Sequence, residues 1–264
     1  MKLYHMSGAG NDFMVIDARG LTLDFSQLSK TLCAQYGTDG FMALDVSEIG
    51  DFRLHFYNPD GSRGEMCGNG ARCICKLAYD LGLTGEAMTV QTDAGLVYGW
   101  RLGEDRYRVQ LNAPGIVDLR RKDDTAYVEL GDPGIPHCVT YVPGLSFDQR
   151  EQLRPIAKAL RYDPAFPKGV NVNLYDWLDS TTVRLLTYER GVEDYTLACG
   201  TGSGSVATVL WLTGQLHGGV LTLENPGGTL TVTVDGKNGQ IETLLLEGPA
   251  ELIATYETPL SSTS

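Results

Sequence analysis

Along the chain, short β-rich runs of apolar and polar residues are bounded by Gly, Pro, Asn and Asp turns, the pattern of strands. FRLHFY, MTVQT and LVYGWRL read this way in the first half, and VRLLTY, VLTLE and LTVTV in the second. Two stretches switch to helical spacing. Ala71, Ile74, Cys75, Ala78 and Leu81 fall on one helical face with Gly82 as a stop, and Val206, Ala207 and Leu210 follow the same spacing towards Gly214. The pattern predicts an α+β (mixed α/β) fold in which strands outnumber helices and a single helix sits between the strand runs of each half.

The two halves repeat each other. Cys67 opens C-G-N-G-A-R and Cys199 opens C-G-T-G-S-G, 132 residues apart in a chain of 264. Asn58 in FYNPDG and Arg190 in TYERG each lie nine residues before their cysteine, and Gly95 and Gly228 follow at 28 and 29 residues in TVQTDAGLVYG and LTLENPGGTLTV. The start participates too, since GAGNDFMV aligns with DPGIPHCV and pairs Gly10 with Gly134 and Phe13 with His137. Two copies make a duplication and not a solenoid. We therefore expect two pseudo-symmetric lobes, each a curved sheet or barrel around a central helix, joined near Asn112 to Gly115. The first lobe takes residues 1–113 and the second 114–249.

Composition narrows the function. Hydrophobic residues at 42% and charged residues at 20% are ordinary for a globular chain that buries its own core. Lys+Arg 21 against Asp+Glu 33 leaves a net charge of −12, which opposes the counterion release that drives binding to nucleic acid or an anionic membrane. Neither is an expected partner. No Asp, Glu, Lys or Arg occurs between Tyr195 and Leu223, yet that stretch opens C-G-T-G-S-G-S and carries His217, Gly218 and Gly219, so it does not read as a membrane span. The opening MKLYHMSGAGNDF lacks a basic segment followed by an apolar one, so the expected compartment is the reducing cytoplasm, with six unpaired thiols.

Cys67 and Cys199 both stand at a strand-to-helix turn with glycine directly after, at the N-terminal end of a helix. Backbone N–H groups and the positive end of the helix dipole there stabilise anions and lower a thiol's pKa from about 8.5. Gly68, Gly70, Gly200 and Gly202 leave those amides uncovered for a carboxylate. Two acid/base groups facing each other across one bound carboxylate suit stereoinversion, in which one removes a proton from carbon and the other returns it from the opposite face.

The strings MSGAGNDF, FYNPDGSRGEMCGNGARC, GIPHCV, FPKGVNVN, YERGVEDYTLACGTGSGS and NPGGTLTV, in order over essentially the whole chain, resemble the diaminopimelate epimerase family of pyridoxal-phosphate-independent amino-acid racemases. The resemblance implies two α/β lobes with the substrate in the cleft between them, and a C-terminal tail, about residues 250–264, that returns to complete the first lobe. It makes Cys67 and Cys199 the two catalytic bases, one as thiolate and one as thiol. Gly68 with Asn69, and Gly200 with Thr201, then offer amides to the reacting α-carboxylate, and Asn11 lines the pocket. Asn58, Asn171 and Arg190 hold the distal amino-acid group, Arg190 through a charge-assisted bond. Glu189 and His137 are the polar neighbours that tune thiol ionisation, and Glu189 also lies against the substrate. The implied reaction is LL- to meso-diaminopimelate, in lysine and peptidoglycan precursor supply, with neither cofactor nor metal. The partner is a small zwitterionic amino acid, and a homodimer stays open.

One position departs. Where the family usually reads G-N-P-H, this chain has Gly134, Ile135, Pro136 and His137. Losing a buried hydrogen-bond partner to a charged group costs about 1.5 to 3 kcal/mol, so a same-family racemase of another polar amino acid such as histidine is the alternative. A thiol redox or metal-binding protein is the alternative of another class, although Cys67, Cys73 and Cys75 have poor spacing for zinc. Cys33, Cys75 and Cys138 read as core, His5 and His55 as surface or packed residues, and Gly8 to Gly10 as only a fragment of a dinucleotide fingerprint. Asn58 in N-P-D-G also reads as a turn residue, and Glu189 beside Arg190 as a solvated ion pair.

Overall fold

A computed structural model of the chain describes residues 1–64, 68–93 and 95–258. The chain divides into two compact units, Met1–Val109 with Glu247–Ser264, and Gln110–Leu246.

The first unit contains β1 (Lys2–Gly8), β2 (Asn11–Asp17), α1 (Phe25–Tyr36), β3 (Gly40–Asp45), β4 (Phe52–Tyr57), α2 (Gly68–Asp80), β5 (Ala87–Thr92) and β6 (Gly95–Arg101). The chain leaves it along β7 (Arg106–Leu111). The second unit contains β8 (Pro114–Lys122), β9 (Thr125–Gly131), β10 (Gly134–Tyr141), α3 (Arg150–Arg161), β11 (Asn171–Trp177), β12 (Thr182–Glu189), the two-residue β13 (Asp194–Tyr195), α4 (Gly200–Leu212), β14 (Val220–Asn225) and β15 (Gly228–Lys237). The return is along β16 (Gln240–Pro249) into β17 (Glu251–Glu257).

The duplication is visible in the strand pairing. In the first unit β1 and β2 are antiparallel, β2 and β3 parallel, β3 and β4 antiparallel, β4 and β5 parallel, and β5 and β6 antiparallel. The second unit repeats that succession with β9, β10, β11, β12, β14 and β15. Parallel neighbours need a crossover long enough to bring the chain back. All four crossovers carry a helix: α1 and α2 in the first unit, α3 and α4 in the second.

The two crossover helices of each unit differ in burial. In α2 every residue from Gly68 to Ala78 is buried, and in α4 Gly200 and Gly202 through Leu210 are. Helix α2 also buries Arg72 and Lys76, whose donors are taken by Asn69 Oδ1, Gly68 O and Pro249 O and by Glu104 O, Asp80 and Asp105, whereas small or apolar residues all round leave α4 no face for water. The hydroxyls of Ser203, Ser205 and Thr208 are accommodated there by donating to carbonyls four residues back, those of Cys199, Thr201 and Gly204, at 2.9, 2.9 and 2.8 Å.

The other two helices correct the expectation of one helix per half. They are amphipathic and lie on the outside. The α1 residues Leu28, Leu32 and Cys33 pack against Met14, Ile16, Phe41 and Ala43, and the α3 residues Leu153, Ala157 and Leu160 against Val172, Leu174, Leu186 and Tyr188. Their apolar stripes are only three residues wide on otherwise polar segments, so the period is faint. The start signals are clearer: Asp24 accepts from Gln27 N at the head of α1, and Ser146 with Gln149 forms a capping box ahead of α3. No helix of the described residues is long and apolar enough to cross a membrane.

Candidate active site

In the second unit the site is built on the first turn of α4. Cys199 is its N-cap, in extended conformation, and its Sγ accepts from Gly202 N at 3.4 Å and lies 3.6 Å from Thr201 Oγ1. A sulfur at this position takes the role usual for Ser, Asp or Asn, and gains most from the bond and the helix dipole when it is charged. Gly200 and Thr201 form the turn that follows. A Cβ on Gly202 would run into Asn173 Oδ1 and come within 3.2 Å of Cys199 Cβ and Thr187 Oγ1, so glycine there permits the approach of strand to helix.

Glu189 ends β12 and accepts from Thr196 Oγ1 at 2.7 Å. Arg190 follows it. Its backbone N donates to Asn171 Oδ1 at 2.9 Å and its guanidinium to the carbonyl of Lys168 at 3.1 Å. Asn171 donates from its amide to Pro136 O at 3.2 Å, so its side chain stitches β10 to residue 190 through backbone groups at both ends. His137 is fully buried on β10 beside Asn171 of β11. Burial, seconded by the charge of Arg190, pushes its pKa down to about 3, so the ring is neutral at physiological pH.

In the first unit, Asn69 donates to Asn11 Oδ1 at 2.6 Å, and Asn11 donates in turn to Asp39 Oδ2 at 3.4 Å, which also accepts from Asp12 N at 2.9 Å. Fully buried Arg72, one turn along α2, donates to Asn69 Oδ1 at 2.9 Å, to Gly68 O at 3.3 Å and to Pro249 O at 3.1 Å. The first turn of α2, with Gly68 and Asn69, is thereby held on both sides. Strand β1 passes so close that a Cβ on Gly8 would lie 2.8 Å from Asn69 O. Asn58 is half-buried and forms the turn of N-P-D-G-S: its N and Nδ2 donate to Ser62 O and Oγ at 2.9 and 3.0 Å, while its carbonyl accepts from Ser29 Oγ at 2.6 Å. Cys67 lies outside the described residues.

Several groups escaped the sequence reading. Asn173 is fully buried and touches His137, Cys138 and Thr187. A signal existed, because Asn171 and Asn173 stand two apart in a run otherwise apolar and so share a face of β11. Lys168 places its ammonium 3.0 Å from both oxygens of buried Glu129, to which Tyr127 also donates. Burial alone would raise the Glu129 carboxyl, but the bonds from Tyr127 and Lys168 outweigh it and hold it below its usual range.

The remaining polar candidates have structural partners. His5 Nε2 is 3.1 Å from Asp12 Oδ2, and His55 is buried between Asp45 and the Phe25 ring. Cys33, Cys75 and Cys138 are buried, and desolvation pushes the last two thiols up to about 12. Among the described residues no three His, Cys, Asp or Glu side chains group to hold a metal ion.

Comparison with known proteins decides the family. The family model described as diaminopimelate epimerase matches residues 3–114 and 130–253. This chain belongs to the diaminopimelate epimerase family. Diaminopimelate epimerase of Chlorobaculum tepidum is 34% identical over 255 residues, covering 94% of this chain and 97% of that one. The enzyme of the same name from Flavobacterium psychrophilum is 33% identical, covering 98% and 100%. Among solved structures, a phenazine biosynthesis protein of the PhzF family from Bacillus anthracis superposes with a TM-score of 0.75 at 15% identity, over 98% of this chain and 99% of that one. A hydroxyproline epimerase from Agrobacterium vitis does so with a TM-score of 0.70 at 16% identity, over 100% and 92%. At such identities the likeness concerns the fold, which is the two-lobed mixed α/β architecture expected from the repeat.

Proposed function

We propose that this chain is a cofactor-independent isomerase that interconverts LL- and meso-diaminopimelate, in the cytoplasmic supply of lysine and peptidoglycan precursors. What carries the reading is the full-length membership of the family, together with a cysteine seated as the N-cap of a buried helix. In one direction the first thiolate takes the α-proton and the second thiol delivers a proton to the opposite face, with Cys67 and Cys199 exchanging roles for the reverse direction. The amides of Gly68, Asn69, Gly200 and Thr201 favour the charge that builds on the α-carboxylate as the proton leaves. Arg190, seated by Asn171, supplies the cation for the distal carboxylate. His137 and Glu189 set thiol ionisation, and Asn11 and Asn58 complete the pocket.

Ile135 favours a second reading on the same two thiols, racemisation of another polar amino acid such as histidine. It is half-buried on β10, two residues before His137, and brings no hydrogen-bonding group to a distal ammonium or carboxylate. A panel of amino acids incubated in D2O separates the two. Deuterium at the α-carbon of diaminopimelate, with epimerisation lost in both Cys67→Ser and Cys199→Ser, is the expected outcome. Exchange on histidine with none on diaminopimelate transfers the assignment, and full turnover by either serine variant ends the two-base scheme.

A further inference from the structure

The environment of Asn173 fixes the orientation of its own side chain. Its Nδ2 lies 2.9 Å from Cys138 O, 3.2 Å from His137 Nδ1 and 3.4 Å from Asn171 O, while its Oδ1 accepts from Thr187 Oγ1 at 3.0 Å. A backbone carbonyl accepts and never donates. Turning the amide over would set Oδ1 against Cys138 O and leave two oxygens facing each other in a buried site. Nδ2 therefore faces Cys138 O and gives it one hydrogen, and the second goes to His137 Nδ1 at 3.2 Å, nearer than Asn171 O at 3.4 Å; a hydrogen on Nδ1 would instead point at an amide nitrogen, which does not accept. Since Nδ1 receives a hydrogen, it carries none, and a neutral imidazole must then hold its proton on Nε2. That Nε2 is fully buried and meets no hydrogen-bond partner among the described residues.

We infer that Asn173 is a positioning residue, which holds His137 as the neutral, Nε2-protonated tautomer so that the histidine serves the reaction as a hydrogen-bond donor to an anion and not as a proton acceptor. In this form the ring favours a charged thiolate or carboxylate by donating to it, and no proton passes from thiol to imidazole. Charge, hydrogen count and bonding are unchanged at the histidine throughout the turnover. The catalytic consequence rests on the proposed epimerase function; the tautomer itself does not.

Nitrogen NMR on the full chain labelled at its histidines tests the assignment, with the His137 signal identified by its loss in His137→Gln. The expected spectrum has an unprotonated Nδ1 and a protonated Nε2, unchanged between about pH 5 and about pH 8, a range in which an ordinary histidine titrates. Asn173→Asp reverses the polarity at Nδ1, and should move the proton there or add a second one. The same variant should lower kcat by about tenfold or more with KM changed far less, and introduce a new ionisation on the acidic side of the pH profile. A wild-type spectrum with the proton on Nδ1, or with both nitrogens protonated near neutral pH, overturns the inference, and does so even where the variant fails to fold. Loss of every epimerase activity in the substrate panel alongside the expected spectrum would sink the functional reading and leave the tautomer standing.

Discussion

His137 couples its buried neutrality to stability. Above its ordinary pKa of 6.5 the ring is neutral in both folded and unfolded chains. Below that value the unfolded chain takes up a proton that the folded chain refuses until about pH 3, so the unfolded state binds more protons and stability falls as the pH is lowered through that window. The loss is about 1.4 kcal/mol per pH unit, or about 2 kcal/mol at about pH 5. Urea unfolding of the wild type and of His137→Gln at two pH values measures it, and parallel curves for the two proteins would contradict the assignment. At this scale the sequence reveals residues that recur in both halves, such as Cys199, and those embedded in a family string, such as His137. Asn173 has no such mark. An asparagine in a strand reads as a turn former, and its meaning comes from the parallel register that sets Val139 opposite it and brings its amide to Cys138 and His137.

The element on which the proposed chemistry stands is the one the sequence discloses best, for one physical reason. Helix α4 is buried on nearly all sides, is written in small and apolar residues and is opened by glycines, and both marks are conspicuous in C-G-T-G-S-G-S-V-A. The outer helices α1 and α3 need only a narrow apolar stripe, and their caps are the better evidence. Burial also makes the first turn of α4 intolerant of added volume. Gly202→Ala would drive a methyl into Asn173 Oδ1 and against Cys199 and Thr187. It should destabilise the protein by about 1 to 3 kcal/mol and displace the sulfur from its cap. Gly85→Ala is the control, because nothing lies within 4 Å of the position its Cβ would take, and it should change stability by less than about 0.5 kcal/mol. Denaturant midpoints for the pair decide the matter, and equal midpoints would mean that strand and helix separate at little cost.

For the molecule as a whole, the repeat is legible in the residues themselves because both copies keep cysteine, glycines and strand runs at nearly equal offsets, whereas the return of the tail to the first unit is implied by the family resemblance alone. That unit is discontinuous. Strand β17 pairs antiparallel with β1 from Lys2 to Ser7, and Glu247 takes hydrogen bonds from Arg106 and Arg108 at 2.6 and 2.9 Å. Pro249 O receives buried Arg72, the same side chain that holds Asn69 and Gly68 at the head of α2. Residues 1–109 alone would leave an edge along β1 and strand one donor of a buried guanidinium, a cost of about 1 to 3 kcal/mol for that group by itself. The second unit, 110–246, is continuous and contains Thr201 and Gly202 beside Cys199, and both His137 and Asn173. Expressed separately, 110–246 should therefore unfold cooperatively, while 1–109 should give only a broad transition that sharpens when a peptide of residues 247–258 is added in trans. Circular dichroism melts with and without the peptide measure this. A fragment 1–109 that melts sharply and ignores the peptide would show that the tail is an attachment to the first unit and no part of its core.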